Sequence, residues 1–209
     1  GGPPLYYSVA YHNNRRAHMV MSVLLAGIMF NVPAFLIEVK RYVKEWVRFS
    51  VFESGAQGEW ARAGNYGASA QGLVYGSHNI AVALEATARL HAIGDDELLN
   101  YSTTAGANGT QSTIPKTVFT ACDTHLDIIA GTRVFKTPAG GVVNWYEPVL
   151  GVLRALHWTL YLQPLIRLGR GGRICRLLNT DENFGGLLKD ATWTLWSGFD
   201  GVYTDCRTG

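Results

Sequence analysis

The spacing of apolar residues between positions 33 and 50 constrains the fold more than any other feature. Apolar side chains recur there every three or four residues, and charged side chains fill the positions between them. This spacing puts the apolar residues on one face of an α-helix, whereas a half-buried strand would alternate every second residue. Pro33 stands where a first helical turn tolerates proline, and Asn31 is expected to cap that turn. The sequence therefore predicts an amphipathic helix here.

The rest of the chain follows the same helical pattern. Further helices are predicted at about residues 13–30, 73–93, 115–130, 146–162 and 187–196. The first of these carries apolar residues so densely that we expect it to be buried nearly all round. The only short β-like segments are Val142-Val143 and Val202-Tyr203. Helices that alternate with irregular loops are typical of stacked antiparallel pairs. We therefore expect an all-α fold of antiparallel helical hairpins, with residues 1–209 forming a single helical domain.

Composition excludes several classes of protein. Charged residues make up 16% of the chain and apolar residues 47%, which allows a buried core and argues against disorder. The net charge of +2 comes without a polybasic run, so no nucleic-acid partner is expected. The longest apolar run, residues 20–30, is about half the ~20 residues that a membrane span needs. The aromatic content of 11% fits a carbohydrate cleft, or simply the core and its rim.

The cysteines and two short motifs bear on the compartment. Cys122, Cys175 and Cys206 allow one disulfide with a free thiol, for example between Cys175 and Cys206, or three buried thiols. Asn100-Tyr101-Ser102 and Asn108-Gly109-Thr110 fit the N-glycosylation acceptor pattern, which also occurs often by chance. The chain begins without methionine or a signal peptide, and we interpret it as a mature or excised part of something longer.

Polar residues cluster at two predicted helix starts. The first helix opens with Tyr11-His12-Asn13-Asn14-Arg15-Arg16. About one helical hairpin later, the Gly-rich segment 53–72 carries Trp60, Arg62 and Tyr66. Long Gly-rich loops with aromatic and charged side chains are disproportionately functional. The next helix then begins with Tyr75, His78 and Asn79.

This order of features, over about residues 7–106, resembles the alginate-lyase-like family of helical-toroid polysaccharide lyases. In that family an Asn-Asn-His motif opens one inner helix, and an Arg and a Tyr follow about one helical hairpin later. The resemblance implies a partial or small α/α toroid, or the C-terminal part of a larger one, because only about a dozen residues precede the motif. It implies a secreted or periplasmic lyase that cleaves an acidic, uronate-containing polysaccharide by β-elimination.

The resemblance also implies roles for individual residues. Asn14 matches the Asn that binds the substrate carboxylate, and Arg62 matches the Arg that assists it. Tyr75 matches the catalytic Tyr, with Tyr66 as an alternative because the loop length differs.

One position departs from the family pattern. Arg15 stands in place of the family's His, which acts as a base or neutraliser in some members. The resemblance therefore does not specify which uronate epimer is cut. His18, one helical turn below Asn14, is the expected substitute. The remaining residues expected to bind substrate are Asn13, Arg15, Arg16, Trp60, Tyr66 and His78.

The chemistry of elimination explains these residue types. The proton beside a uronate carboxylate is very weakly acidic unless the charge of the carboxylate is neutralised. Asn amide and Arg guanidinium groups can hold the developing dianion. A Tyr whose pKa is lowered by that Arg can remove the proton and return it to the leaving oxygen. Such a scheme needs no metal and no cofactor.

Structural interpretations of the same residues stand beside the functional ones. The two asparagines fit ordinary helix caps, the two arginines fit surface charges, and Tyr75 fits a core aromatic. His78 and Asn79 fit hydrogen bonds between helices. The other histidines, which lack metal-ligand spacing, are interpreted as structural: His91, His125 and His157.

Two alternative functions are open at this point. Asp95-Asp96-Glu97 and Asp181-Glu182 offer carboxylates for a glycoside hydrolase on a similar toroid, although the first group fits a helix-capping turn better. The other alternative is a catalytically inactive, toroid-like structural or assembly subunit. Such a subunit would associate with itself, or with a partner chain that supplies missing helices, through apolar helices such as residues 20–30.

Overall fold

A computed structural model describes residues 11–61, 71–130, 132–133, 135–136, 142–143, 161 and 163–175. The helices are α1 (Asn14–Met29), α2 (Pro33–Phe49), α3 (Gln71–Ala92) and α4 (Thr120–Ile129), with short 3₁₀ turns at Gly58–Ala61 and Ala107–Gly109. The strands are β1 (Thr103–Ala105), β2 (Gln111–Lys116), β3 (Phe135–Lys136) and β4 (Val142–Val143). Residues 163–167 and 172–175 are also helical. The described part of the chain is therefore mostly helical, as predicted.

A β-hairpin corrects the all-α prediction. Strands β1 and β2 pair antiparallel, with Thr103 opposite Lys116 and Ala105 opposite Gln111. Pro115, expected near the start of a helix, lies in β2, and the helix begins at Thr120 instead. The β-branched residues Thr103 and Thr104 of β1, and Thr113 and Ile114 of β2, favour extended backbone, and Gly109 turns the chain at a φ of 75°.

A second pair of strands confirms one short prediction. Strand β3 pairs antiparallel with β4, so Val142-Val143 is a strand. Apart from residue 161, the predicted helix at 146–162 lies outside the described residues. The predicted helix at 187–196 and the segment Val202-Tyr203 lie outside them as well.

The hairpin of α1 and α2 turns at Asn31. Its φ of 51° is in the left-handed region, which Asn tolerates better than most residues. The prediction that Asn31 caps α2 is wrong, because Val32 occupies the cap position and makes no side-chain cap bond. The two helices approach closely at Gly27, where an added Cβ would lie 2.6 Å from Cδ2 of Leu36.

Helix α1 is buried on one face only, which corrects the prediction that it is buried nearly all round. Ala17, Val20, Leu24 and Gly27 face the core. Met29 is 74% exposed, and Phe30 just beyond the helix is 72% exposed. The prediction was wrong because the density of apolar residues does not specify how many neighbouring elements pack against a helix. In the described structure, α2 and α3 pack against one side of α1.

Helix α3 runs through the centre of the described structure. From residue 79 to residue 84 every side chain is buried, and the helix packs against α1, α2 and α4. Its end confirms the expected terminal glycine, because Gly94 has a φ of 87°. The last turn of α2 is closed by buried Lys116 of β2, whose ammonium donates to the carbonyls of Arg48 and Val51, both at 2.8 Å.

The cysteines follow the pattern of one disulfide with a free thiol. Cys175 is disulfide-bonded, whereas Cys122 is free and buried. Cys206, the suggested partner, lies outside the described residues. Within the same described ranges, no helix is both long and apolar enough to cross a membrane.

Candidate functional site

The first turn of α1 carries exposed positive charge. Asn13 caps the helix, with its side-chain oxygen accepting from the backbone N–H of Arg16 at 3.0 Å. Arg15 and Arg16 are exposed, and the first turn holds no acidic residue. Neither arginine forms an ion pair with the described part of the chain. A helix N-terminus already carries partial positive charge, so the arginines strengthen a positive field that suits an anion.

A pair of histidines joins α1 to α3. The ring centroids of His18 and His78 lie 4.7 Å apart, with the rings inclined at 56°. His18 is exposed and His78 is half-buried. Desolvation, and then the charge of His18, lower the pKa of His78. Because its charged form is disfavoured, His78 is neutral at neutral pH and one ring nitrogen is a proton acceptor.

Asn14 and Tyr75 each lie about one helical turn before a member of this pair. Side chains three or four positions apart share a face of a helix, so Asn14 accompanies His18 and Tyr75 accompanies His78. Both Asn14 and Tyr75 are half-buried. We call these four residues the rim cluster. The structure thus brings two of the predicted site residues into ring contact and places two more one turn away.

A buried network anchors the segment that leads into α1. The side-chain amide of Asn79 on α3 donates to the carbonyl of His12 at 2.9 Å, and its oxygen accepts from the hydroxyl of Tyr42 at 3.0 Å. The Nδ1 atom of His12 lies 2.7 Å from the hydroxyl of Ser50. Desolvation, and then the charge of Arg16, lower the pKa of His12 to about 3. The network therefore fixes a neutral His12 directly before the Asn pair.

Trp60 lies in the core, which corrects its expected role as a sugar-binding surface. It is 1% exposed, and an added Cβ at Gly76 would lie 2.4 Å from its ring. Its ring centroid is 5.7 Å from that of His125. With so little of its surface exposed, the ring cannot stack on a polymer.

A second hydrogen-bonded network, formed by Ser77, His125 and Tyr161, lies beside Trp60. The hydroxyl of Tyr161 donates to the carbonyl of Ser77 at 3.3 Å, and Nδ1 of His125 lies 2.8 Å from the same hydroxyl. Because the hydroxyl proton goes to Ser77, Nδ1 of His125 is the donor to Tyr161. Burial raises the pKa of Tyr161. We call Trp60, Ser77, His125 and Tyr161 the core cluster. Its hydrogen bonds agree with the structural interpretation of His125.

The other candidate residues divide into two groups. Arg62 and Tyr66 lie outside the described residues. Asp95 and Glu97 form ion pairs with Lys40, which hold the pKa of both carboxyls below their usual values. A glycoside hydrolase needs one carboxylic acid with a raised pKa, which neither Asp95 nor Glu97 provides, and the other candidates, Asp181 and Glu182, lie outside the described residues. In the described ranges, no group of three or more potential ligands is placed to hold a metal ion.

Comparison of the chain with protein-family models, with curated proteins and with solved structures found no match.

Proposed function

We propose that this protein is a lyase that cleaves an acidic, uronate-containing polysaccharide by β-elimination. The observation that carries the proposal is the contact of His18 with His78. This contact brings the first turns of α1, which carry Asn14, next to the first turns of α3, which carry Tyr75. The exposed arginines of α1 lie on the same helix turn as Asn14 and supply the positive field that a polyanion requires.

In the proposed reaction, the substrate carboxylate accepts hydrogen bonds from Asn14 and Arg62. Their donors stabilise the dianion that forms when the adjacent C–H proton leaves. The phenolate oxygen of Tyr75 takes that proton, a carbon–carbon double bond forms, and the glycosidic C–O bond breaks. The protonated Tyr75 then returns its proton to the leaving oxygen.

His18 takes the place of the histidine that Arg15 replaces. It is solvent-exposed, so a substrate bound at the rim cluster can reach it. Asn13 has a different task, since its side-chain oxygen is already used by the helix cap. Asn13 therefore sets the direction of α1 rather than binding substrate through that oxygen.

The fold and compartment of the full protein belong to the same proposal. The antiparallel hairpin of α1 and α2, followed by α3, is the kind of unit that an α/α toroid repeats. The disulfide at Cys175 supports a secreted or periplasmic location, because disulfides persist mainly in oxidising compartments.

A product assay tests the proposal. Purified protein is incubated with alginate and glucuronan, and the absorbance of the unsaturated uronate product is followed. We expect absorbance to rise with a uronate polymer and to stay flat with the same polymer after its carboxylates are reduced to alcohols. No signal on any acidic polymer would contradict the proposal.

A matched pair of variants ties that signal to the rim cluster. Asn14→Ala should lower the rate, whereas Asn100→Ala, at an exposed position after α3, should not. Equal rates in both variants would remove Asn14 from the mechanism.

A second candidate function, a structural subunit that self-associates, is favoured by the exposed apolar side chains of α1. Met19, Leu25, Met29 and Phe30 are all exposed on or just after this helix. Contiguous exposed apolar surface commonly marks an interface. If a second copy covers it, light scattering should show a particle larger than a monomer, and Met29→Glu should reduce that particle to a monomer. A monomeric wild-type protein would rule out this function.

A further inference from the structure

An exposed acceptor tripeptide lies beyond α3, away from the rim cluster. Asn100-Tyr101-Ser102 follows the turn after α3 and directly precedes β1. The backbone N–H of Asn100 donates to the carbonyl of Asp96 at 3.0 Å, which holds the turn. The side chains of Asn100 and Ser102 are both exposed. Both reactive groups of the motif therefore face solvent.

The middle residue of the motif explains this orientation. Tyr101 is half-buried and packs against the hydrophobic core, and the ammonium of Lys44 lies 5.4 Å from its ring centroid. With Tyr101 directed inward, its two neighbours are directed outward. Neither Asn100 nor Ser102 uses its side chain in a hydrogen bond to the described part of the chain. The amide and the hydroxyl are thus available to an enzyme.

A second observation points to the compartment in which such a motif is modified. Cys175 is disulfide-bonded, and disulfides persist mainly in the secretory pathway and outside the cell. Asn-X-Ser/Thr tripeptides on surface loops of secreted proteins are N-glycosylation acceptors. We propose that Asn100 is an N-glycosylation site.

The modification is a group transfer from a lipid-diphosphate-linked oligosaccharide. A bond forms between Nδ2 of Asn100 and the anomeric carbon of the first sugar. The bond from that carbon to the diphosphate oxygen breaks, the lipid diphosphate leaves, and Nδ2 loses one proton. The glycan would not cover the rim cluster, because α3 extends roughly 25 Å from Tyr75 to its end at a rise of 1.5 Å per residue.

The second tripeptide, Asn108-Gly109-Thr110, is a weaker acceptor. It forms the tip of the β1–β2 hairpin, and the hydroxyl of Thr110 is used within that turn, where it donates to the carbonyl of Ala107 at 2.7 Å. The experiment therefore uses an Asn108→Gln background, so that any glycan is counted at one site.

Secretion from a eukaryotic cell line, followed by intact mass and peptide mapping, tests the proposal. The Asn108→Gln protein should carry one glycan that peptide N-glycosidase removes. Adding Ser102→Thr should keep the glycan, and adding Ser102→Ala should abolish it. Peptide mapping of the protein from its own source should also find the glycan on Asn100. An unmodified Asn100 peptide in either preparation would overturn the proposal, whatever the result of the lyase assay.

Discussion

The rim cluster and the core cluster use the same residue types in different surroundings. Each contains histidine and tyrosine side chains on or beside α3. In the core cluster, His125 and Tyr161 are both fully buried, and a hydrogen bond from Tyr161 ends on the backbone of α3. In the rim cluster, His18 is exposed, while Tyr75 and His78 are half-buried. Of these two clusters, only the rim cluster reaches solvent.

The difference shows that residue type and motif do not by themselves identify a site. A buried polar pair that is hydrogen-bonded within the protein, as His125 and Tyr161 are, is costly to disrupt. In the rim cluster, half-buried His78 contacts exposed His18, and exposed Arg15 and Arg16 lie on the same helix start as Asn14. Four predictions test the contrast between buried and more exposed polar groups, including buried His12, and they are ordered from the largest expected effect to the smallest.

Replacing Tyr75 with Phe should lower the rate of β-elimination by about 10² to 10⁴-fold, because the reaction loses its acid and base. The variant should still unfold cooperatively in urea, so that the lower rate reports on the reaction and not on the fold. Product absorbance and urea unfolding measure the two quantities. Tyr101→Phe, which removes a hydroxyl at another half-buried position, is the control. If both variants keep the wild-type rate, Tyr75 is not the catalytic residue.

Acid should destabilise the fold through His12. Its pKa is lowered to about 3 in the folded protein, against 6.5 for the ordinary side chain. Between these values the unfolded chain binds a proton that the folded chain does not, so stability is lost as the pH falls from 6.5 towards 3. The loss is about 3 to 5 kcal/mol over that window.

Urea unfolding at a series of pH values measures the loss. His12→Gln should make the dependence shallower, whereas Asn100→Gln, at an exposed position with no titrating group, should leave it unchanged. A wild-type profile that is already flat between pH 6.5 and 3 would show that His12 is not buried as described.

Replacing Tyr161 with Phe should destabilise the protein by about 1 to 3 kcal/mol, because Nδ1 of His125 and the carbonyl of Ser77 lose a buried partner. The rate of elimination by the folded fraction should be unchanged. Urea unfolding and the product assay on the same preparation separate the two effects. A loss of rate without a loss of stability would move this tyrosine from the core cluster into the active site.

Replacing His18 with Gln should raise the pKa of His78, because the charge of His18 is the second cause of its lowering after desolvation. Stability should change by no more than about 0.5 kcal/mol, as is usual at an exposed position. Proton NMR titration of the His78 ring measures the shift, with His91→Gln as the control. An unchanged pKa would mean that the two rings do not interact in solution.

The sequence predicted the helices well wherever a continuous pattern specified them. The periodicity of residues 33–50 located α2, and Gly94 located the end of α3. The β1–β2 hairpin was not predicted, because β2 is short, mostly exposed and contains Pro115, so it has no alternating apolar face. The exposed side of α1 was not predicted either, because the density of apolar residues does not specify which neighbours pack against a helix.

The candidate site was predictable only in part, for a related reason. The Asn pair and Tyr75 stood out because they open helices. The network of His12, Tyr42, Ser50 and Asn79 depends on residues up to 67 positions apart, and no local spacing encodes such a contact. Trp60 sits in a Gly-rich segment that indicates a loop, yet Gly76 of α3 leaves room for its ring and Gly72 leaves room for its backbone carbonyl.

The hydrogen bonds from Lys116 to the end of α2 have a consequence for the order in which the chain folds. The carbonyls of Arg48 and Val51 accept from the ammonium of Lys116, which lies 68 and 65 residues further along the chain. Closing so long a loop is slow, so the last turn of α2 should become protected from hydrogen exchange together with the β-hairpin rather than with the rest of its own helix. The first hairpin of helices and the later pair of strands would then belong to a single cooperative unit.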